Sequence, residues 1–97
     1  MNIDRVNGWV ETGTPGITMK VLNQHSDGRL KTALFIVGPG VATDVHSHDV
    51  EEEVFILDGD MVEEGRTYLA GDYARRMPNG PHAVSSVSGY TSLVVYR

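Results

Sequence analysis

No cysteine occurs in the 97 residues, which removes disulfides, thiolate metal sites and a cysteine nucleophile together. Any transition-metal site must then be built from imidazole and carboxylate. Basic residues are also few: eight Lys and Arg stand against thirteen Asp and Glu, for a net charge of -5. They are scattered along the chain, whereas nucleic-acid binding needs a concentrated basic face to neutralise phosphates. A DNA or RNA partner is therefore not expected. No stretch approaches the ~18–20 apolar residues of a membrane helix. The opening segment, MNIDRVNGWV, has neither the basic start nor the apolar run of a secretory signal. A cytoplasmic protein is expected. Helical periodicity of convincing length is missing throughout.

What the sequence does contain is a series of short β-rich runs separated by turn residues. Ile17 to Leu22, Leu30 to Val37, Asp44 to His48, Glu52 to Leu57, Gly71 to Met77, His82 to Val87 and Tyr90 to Tyr96 read as strands. Gly38-Pro39-Gly40, Asp58-Gly59-Asp60, Pro78-Asn79-Gly80-Pro81 and Ser88-Gly89 punctuate them. Met61-Val62 and Arg66 to Leu69 form a hairpin around Glu64-Gly65. Many short strands at regular spacing predict an all-β sandwich or barrel, and the length allows one domain spanning 1–97. Residues 1–16 form an N-terminal arm, which Trp9 should pack onto the body.

Three of the four histidines concentrate in the chemistry-bearing part of the chain. His46 and His48, two apart on an extended segment, leave the same face with Cβ atoms roughly 6.5–7 Å apart. That spacing lets both rings converge on one ion at the ~2.0–2.1 Å expected for nitrogen ligands. Glu52 follows at the start of the next strand, where Val54 and Ile56 share its face. Strand parity selects Glu52 over its neighbours Glu51 and Glu53, with Glu53 as the alternative carboxylate. His82 arrives from a distant stretch, just past the Pro-Asn-Gly-Pro turn. His25, in the polar run Asn23-Gln24-His25-Ser26-Asp27, reads as a surface residue. Tyr73, Arg75 and Met77 alternate on one strand face. An arginine aimed into a barrel would bind a carboxylate or phosphate through two parallel hydrogen bonds. Tyr73 and Arg75 are therefore candidate substrate contacts, a surface position for Arg75 being the alternative.

The spacing Gly40, five residues, His46-Ser47-His48, three residues, Glu52, six residues, Gly59 resembles the first cupin motif, G(X)5HXH(X)3–4E(X)6G. Gly71, Pro78, Gly80 and His82 resemble the second motif in relaxed form. The segment before the proline is one residue longer than in the motif and the one before the histidine one shorter, so the two shifts cancel. The asparagine that ends the second motif has no counterpart. Within that superfamily, residues 38–97 are most similar to small cupins related to the zinc-binding domain of ChrR-type anti-sigma factors. The resemblance rests on the Pro-Gly, the HxH, the acidic pair, the VFILDG strand and EEGRTYLAGDYARR. It implies a double-stranded β-helix, or jelly-roll barrel, with His46, His48, Glu52 and His82 as metal ligands. It also implies a homodimer.

Three imidazoles and one carboxylate leave the metal open among iron, zinc, manganese, nickel and copper, with iron and zinc foremost. With Fe(II), the open positions would admit a chelating diketone, or substrate and dioxygen side by side. The relatives implied by the resemblance include dioxygenases cleaving carbon–carbon bonds of small oxygen-rich molecules. With zinc, the chemistry would be Lewis-acid work: isomerisation, cyclisation, dehydration or hydrolysis. A non-catalytic metal-binding sensor is the reading from a different class. It would need an attached effector-binding segment, and too few residues precede the first strand for one. The expectation is a metal-dependent enzyme on a small-molecule substrate, with oxidative cleavage leading.

Overall fold

A computed structural model describes residues 3–97. Among these residues eight strands form and no helix does, so none is present that is long and apolar enough to cross a membrane. The strands are β1 (Trp9–Glu11), β2 (Ile17–Gln24), β3 (Leu30–Val37), β4 (Glu52–Glu63), β5 (Arg66–Leu69), β6 (Tyr73–Arg76), β7 (Val84–Ser85) and β8 (Tyr90–Tyr96). They pair in the order β1-β2-β3-β8-β4-β5, with β6 and β7 also hydrogen-bonded to β4. Every pairing is antiparallel, and the all-β expectation holds. Part of the expected arm is a strand: β1 pairs with β2 from Trp9 opposite Lys20 to Glu11 opposite Thr18.

The long strand β4 organises the rest. Its first half lies between β8 and β6, and its second half between β5 and β7. The expected turn at Asp58-Gly59-Asp60 is instead an irregularity within one strand, a register shift between Ile56 and Asp58 opposite β8. Side chains alternate faces along a strand, so an extra residue reverses which ones point inward. Before the shift Glu52, Val54 and Ile56 are buried, and beyond it Met61 is. The bulge thus lets one strand serve two parts of a curled sheet while keeping an apolar face towards a shared interior. That interior holds Ile17, Val37, Val54, Ile56, Met61, Val84, Tyr90 and Val94. On the outer face Ile36, Phe55, Leu57 and Tyr73 are exposed.

Two short turns behave as their residues dictate. Glu64 and Gly65 carry φ of 51° and 75° between the opposed residues Glu63 and Arg66, the double positive φ of a type I′ hairpin. In the Pro78-Asn79 turn, Gly80 N donates to Met77 O at 3.1 Å and Asn79 has φ of 62°. Proline second and asparagine third is the residue order of a type II turn.

The expected strand from Asp44 to His48 is not a regular strand. Residues 40–46 do run antiparallel to 82–86, but only the bridges Ala42–Ser85 and His46–His82 form. Thr43 accounts for the interruption, because its hydroxyl accepts the Val84 N–H at 3.0 Å while its own N–H donates to Val84 O.

Gly59 and Asp60 lock the bulge against the turn before β8. A Cβ on Gly59, where φ is +81°, would lie 1.9 Å from Gly89 O and 2.7 Å from Tyr90 Cα. Gly59→Ala is expected to cost at least ~3 kcal/mol in urea unfolding. Gly40→Ala, with φ of +73° but open space around it, should cost only about 1–2 kcal/mol. Equal costs would contradict the close approach.

The Asp60 carboxylate accepts from Ser88 Oγ and from the Val87 and Ser88 amides. These donors, the Ser88 hydroxyl foremost, hold its pKa down at about 2. A depressed carboxyl stabilises the fold above its unfolded pKa near ~3.9 and loses that contribution as pH falls through the folded value. Asp60→Asn should therefore lower Tm by several degrees at pH 7. The gap from wild type should close between about pH 4 and pH 2. A gap unchanged at low pH would contradict this.

Candidate metal centre

The three histidines meet because the two separated segments are stitched together at the backbone. His46 N donates to His82 O at 2.9 Å and His82 N to His46 O at 2.8 Å, a doubly bonded antiparallel pair. Their rings consequently sit 4.3 Å apart between centroids. His48, two residues on, returns to the same face, 5.4 Å from His46 and 5.7 Å from His82. His48 O accepts from Asn79 N at 2.6 Å, which ties the HxH segment to the turn that presents His82. Each imidazole offers one nitrogen to a common point, with these atoms within 4.8 Å of one another. The three could hold a metal ion.

Glu52 closes the buried side of this cluster. It is 2% exposed, with Oε1 3.7 Å from His48 Nε2 and Oε2 3.6 Å from His82 Nε2. Glu53 lies on the opposite face, bonded to Tyr73 Oη and Arg97. Between the two carboxylates open to the sequence, the fold thus places Glu52 at the histidines.

The donor set suits a divalent cation on three counts. His46 Nδ1 is 2.9 Å from Asp44 O and His82 Nδ1 is 3.2 Å from Gly80 O. A backbone carbonyl accepting from Nδ1 fixes the tautomer that leaves Nε2 free for a metal. Second, His82 Nε2 is the only buried side-chain nitrogen or oxygen among the described residues without a hydrogen-bond partner. An orphaned buried acceptor is costly unless something occupies it. Third, burial and then the Arg76 charge push the His82 pKa below its ordinary value. The ring is kept neutral, the form that ligates.

The cluster opens onto a cavity of about 260 Å³. One part of its wall is apolar, from Ile17, Phe35, Val54, Met61 and Val94, and another is polar, from Arg76, Tyr90, Tyr96 and Ser92. Burial pushes the Tyr90 phenol up to about 12. Tyr96 is also raised, by burial and by the neighbouring Glu52, and its ring meets His48 edge-on at 5.7 Å. Both phenols are therefore protonated donors at neutral pH.

Tyr73 and Arg75, the expected substrate contacts, are corrected by the strand register. Glu52 lies opposite Arg76 and Val54 opposite Ala74, so the inward positions of β6 are Ala74 and Arg76. Tyr73 and Arg75 are exposed on the outer face, where Tyr73 packs on Phe55 and Arg75 pairs with Glu51. Arg76 was identifiable only from its pairing with Glu52, a long-range relation. Tyr96, at a chain end, carried no motif. His25 also departs from a plain surface position. It is half-buried, and its Nε2 lies 3.2 Å from Tyr96 O.

The ChrR cupin-like domain pattern matches residues 3–97, and the chain belongs to that family. Solved structures agree on the fold. An acetylacetone dioxygenase from Acinetobacter johnsonii superposes with a TM-score of 0.81 at 20% identity, over 99% of this chain and 72% of that one. The polyketide cyclase RemF from Streptomyces resistomycificus gives 0.74 at 25% identity, over 98% and 79%. A chain in the complex of SigE with the anti-sigma ChrR from Rhodobacter sphaeroides gives 0.73 at 18%, over 92% and 48%. No curated protein sequence matches.

The geometry separates His48 from His25 by role. His48→Ala should weaken Co(II) or Zn(II) binding at least about 100-fold in a competition titration. His25→Ala should leave metal affinity unchanged. Equal losses would contradict the ligand set.

Proposed function

We propose that this protein is a metal-dependent enzyme acting on a small, oxygen-rich organic substrate, with oxidative cleavage of a carbon–carbon bond as its reaction. The single observation that carries the reading is the joining of the histidine cluster and Glu52 to an open-mouthed, mixed-polarity cavity large enough for a small molecule. A purely structural metal site is saturated by protein ligands, whereas a catalytic one keeps positions open towards a cavity.

His46, His48, His82 and Glu52 would hold the cation. Bound there, a divalent ion would polarise a coordinated carbonyl and, as Fe(II), engage dioxygen. The protein's own groups supply the remainder. The apolar wall excludes water from one side of the substrate and strengthens electrostatic contacts inside. The Tyr90 and Tyr96 hydroxyls, kept protonated by burial, can donate hydrogen bonds to substrate oxygens and orient them. In the cleavage one carbon–carbon bond breaks and the two atoms of dioxygen enter the two fragments.

Lewis-acid chemistry on zinc, such as cyclisation or isomerisation, is the second reading. It is favoured by the 25% identity to a polyketide cyclase over 98% of the chain. A non-catalytic sensor role is less well matched to a site that opens onto a cavity.

Protein purified without added metal should contain iron, and Fe(II)-loaded protein should consume oxygen when a 1,3-diketone such as acetylacetone is supplied. Firmly held zinc, with no oxygen uptake after exchange to Fe(II), would overturn oxidative cleavage in favour of the Lewis-acid reading.

A further inference from the structure

Arg76 is the charged group of the cavity that the histidine cluster leaves unexplained. Its side chain is 11% exposed, on β6 directly opposite Glu52. The guanidinium is divided in its bonding. Nε donates to Glu63 Oε1 at 2.8 Å, and Nη2 donates to the same oxygen and lies 3.8 Å from Met61 Sδ. Nη1 makes no hydrogen bond among the described residues and stands 3.9 Å from Glu52 Oε2, beyond hydrogen-bond reach.

A planar guanidinium anchored along one edge has its remaining edge fixed in direction. Glu63 supplies that anchor, itself reaching inward because of the β4 bulge. Arg76 lines the cavity, so the unengaged Nη1 presents a pre-oriented donor to an incoming oxygen. Its distance from the metal centre is short, since Glu52 Oε2 lies 3.9 Å from Nη1 and 3.6 Å from His82 Nε2. A molecule with two oxygens separated by one or by three carbons of a conjugated system would reach both places. Charge narrows the choice further. A divalent ion and Arg76 together would outweigh Glu52 and Glu63 by one positive charge, which a monoanion would cancel at these mostly buried groups.

We propose that Arg76 is the specificity-determining residue of the cavity and selects monoanionic oxygen ligands, carboxylates or 1,3-dicarbonyl enolates, by donating from Nη1 to the oxygen next to the cation. This rests on the metal reading above and adds the charge and donor pattern of what binds. Neutral alcohols and amides of the same shape are discriminated against.

The test uses the Co(II)-loaded protein, with the visible spectrum of Co(II) as readout and propionate and propionamide as probes of matched shape. Wild type should bind propionate at least about tenfold more tightly than propionamide, the scale of one charge-assisted hydrogen bond. Glu63→Gln, which removes the competing carboxylate, should tighten propionate binding. The double variant Arg76→Met/Glu63→Gln leaves no unpaired buried charge and keeps the same net charge in the cavity. It should hold Co(II) as wild type does and weaken propionate about tenfold. Unchanged propionate affinity in the double variant, or no preference in wild type, would overturn the role of Arg76 while leaving the metal centre intact. Failure of wild type to take up Co(II) would overturn both.

Discussion

The pair of backbone hydrogen bonds joining His46 to His82 is the constraint on which the site depends. Two imidazoles separated by more than thirty residues of chain are brought side by side by main-chain groups, without calling on side-chain affinity. Once that bridge forms, the two-residue periodicity of extended chain delivers His48, and the first residue of β4 delivers Glu52. Position is thereby fixed before any cation is present, which limits the entropy lost on binding. The orphaned Nε2 of His82 shows the other side of this arrangement. The fold accepts a buried, unsatisfied acceptor that a metal would satisfy.

The bulge in β4 extends the same logic to the far wall of the cavity. Were the alternation unbroken, Met61 and Glu63 would face outward and Arg76 would lose the carboxylate it hydrogen-bonds in the interior. With the register shift, the strand that begins with Glu52 at the histidines ends with Glu63 at Arg76, and one element sets both walls. Gly59 permits the close passage past Gly89, while Asp60 holds the turn that follows. The glycine closing the first cupin motif thus has a steric reason. Any side chain there would push the start of β8, and with it Tyr90, away from the cavity.

Much of this was legible in the sequence because it is local. The histidine spacing, the alternation around Val54 and Ile56, the Glu64-Gly65 hairpin and the Pro78-Asn79 turn each need only neighbouring residues. What was misread depended on pairing across the sheet. Asp58-Gly59-Asp60 has turn composition, yet tertiary contacts with β8 stretch it into a bulged strand. Residues 44–48 have strand character, yet the Thr43 hydroxyl takes a ladder hydrogen bond. Arg75 and Arg76 differ by one position, and only the register of β6 against β4 decides which reaches the interior. The histidine cluster lay in motifs. The remaining cavity wall is set by register, which the pattern of one sequence does not encode.

Anomalous X-ray scattering from crystals of the metal-loaded protein tests the metal centre most directly. A single strong peak is expected at roughly 2.0–2.2 Å from Nε2 of His46, His48 and His82 and from a carboxylate oxygen of Glu52. A peak elsewhere, or none at the cavity in crystals shown to contain metal, would contradict it.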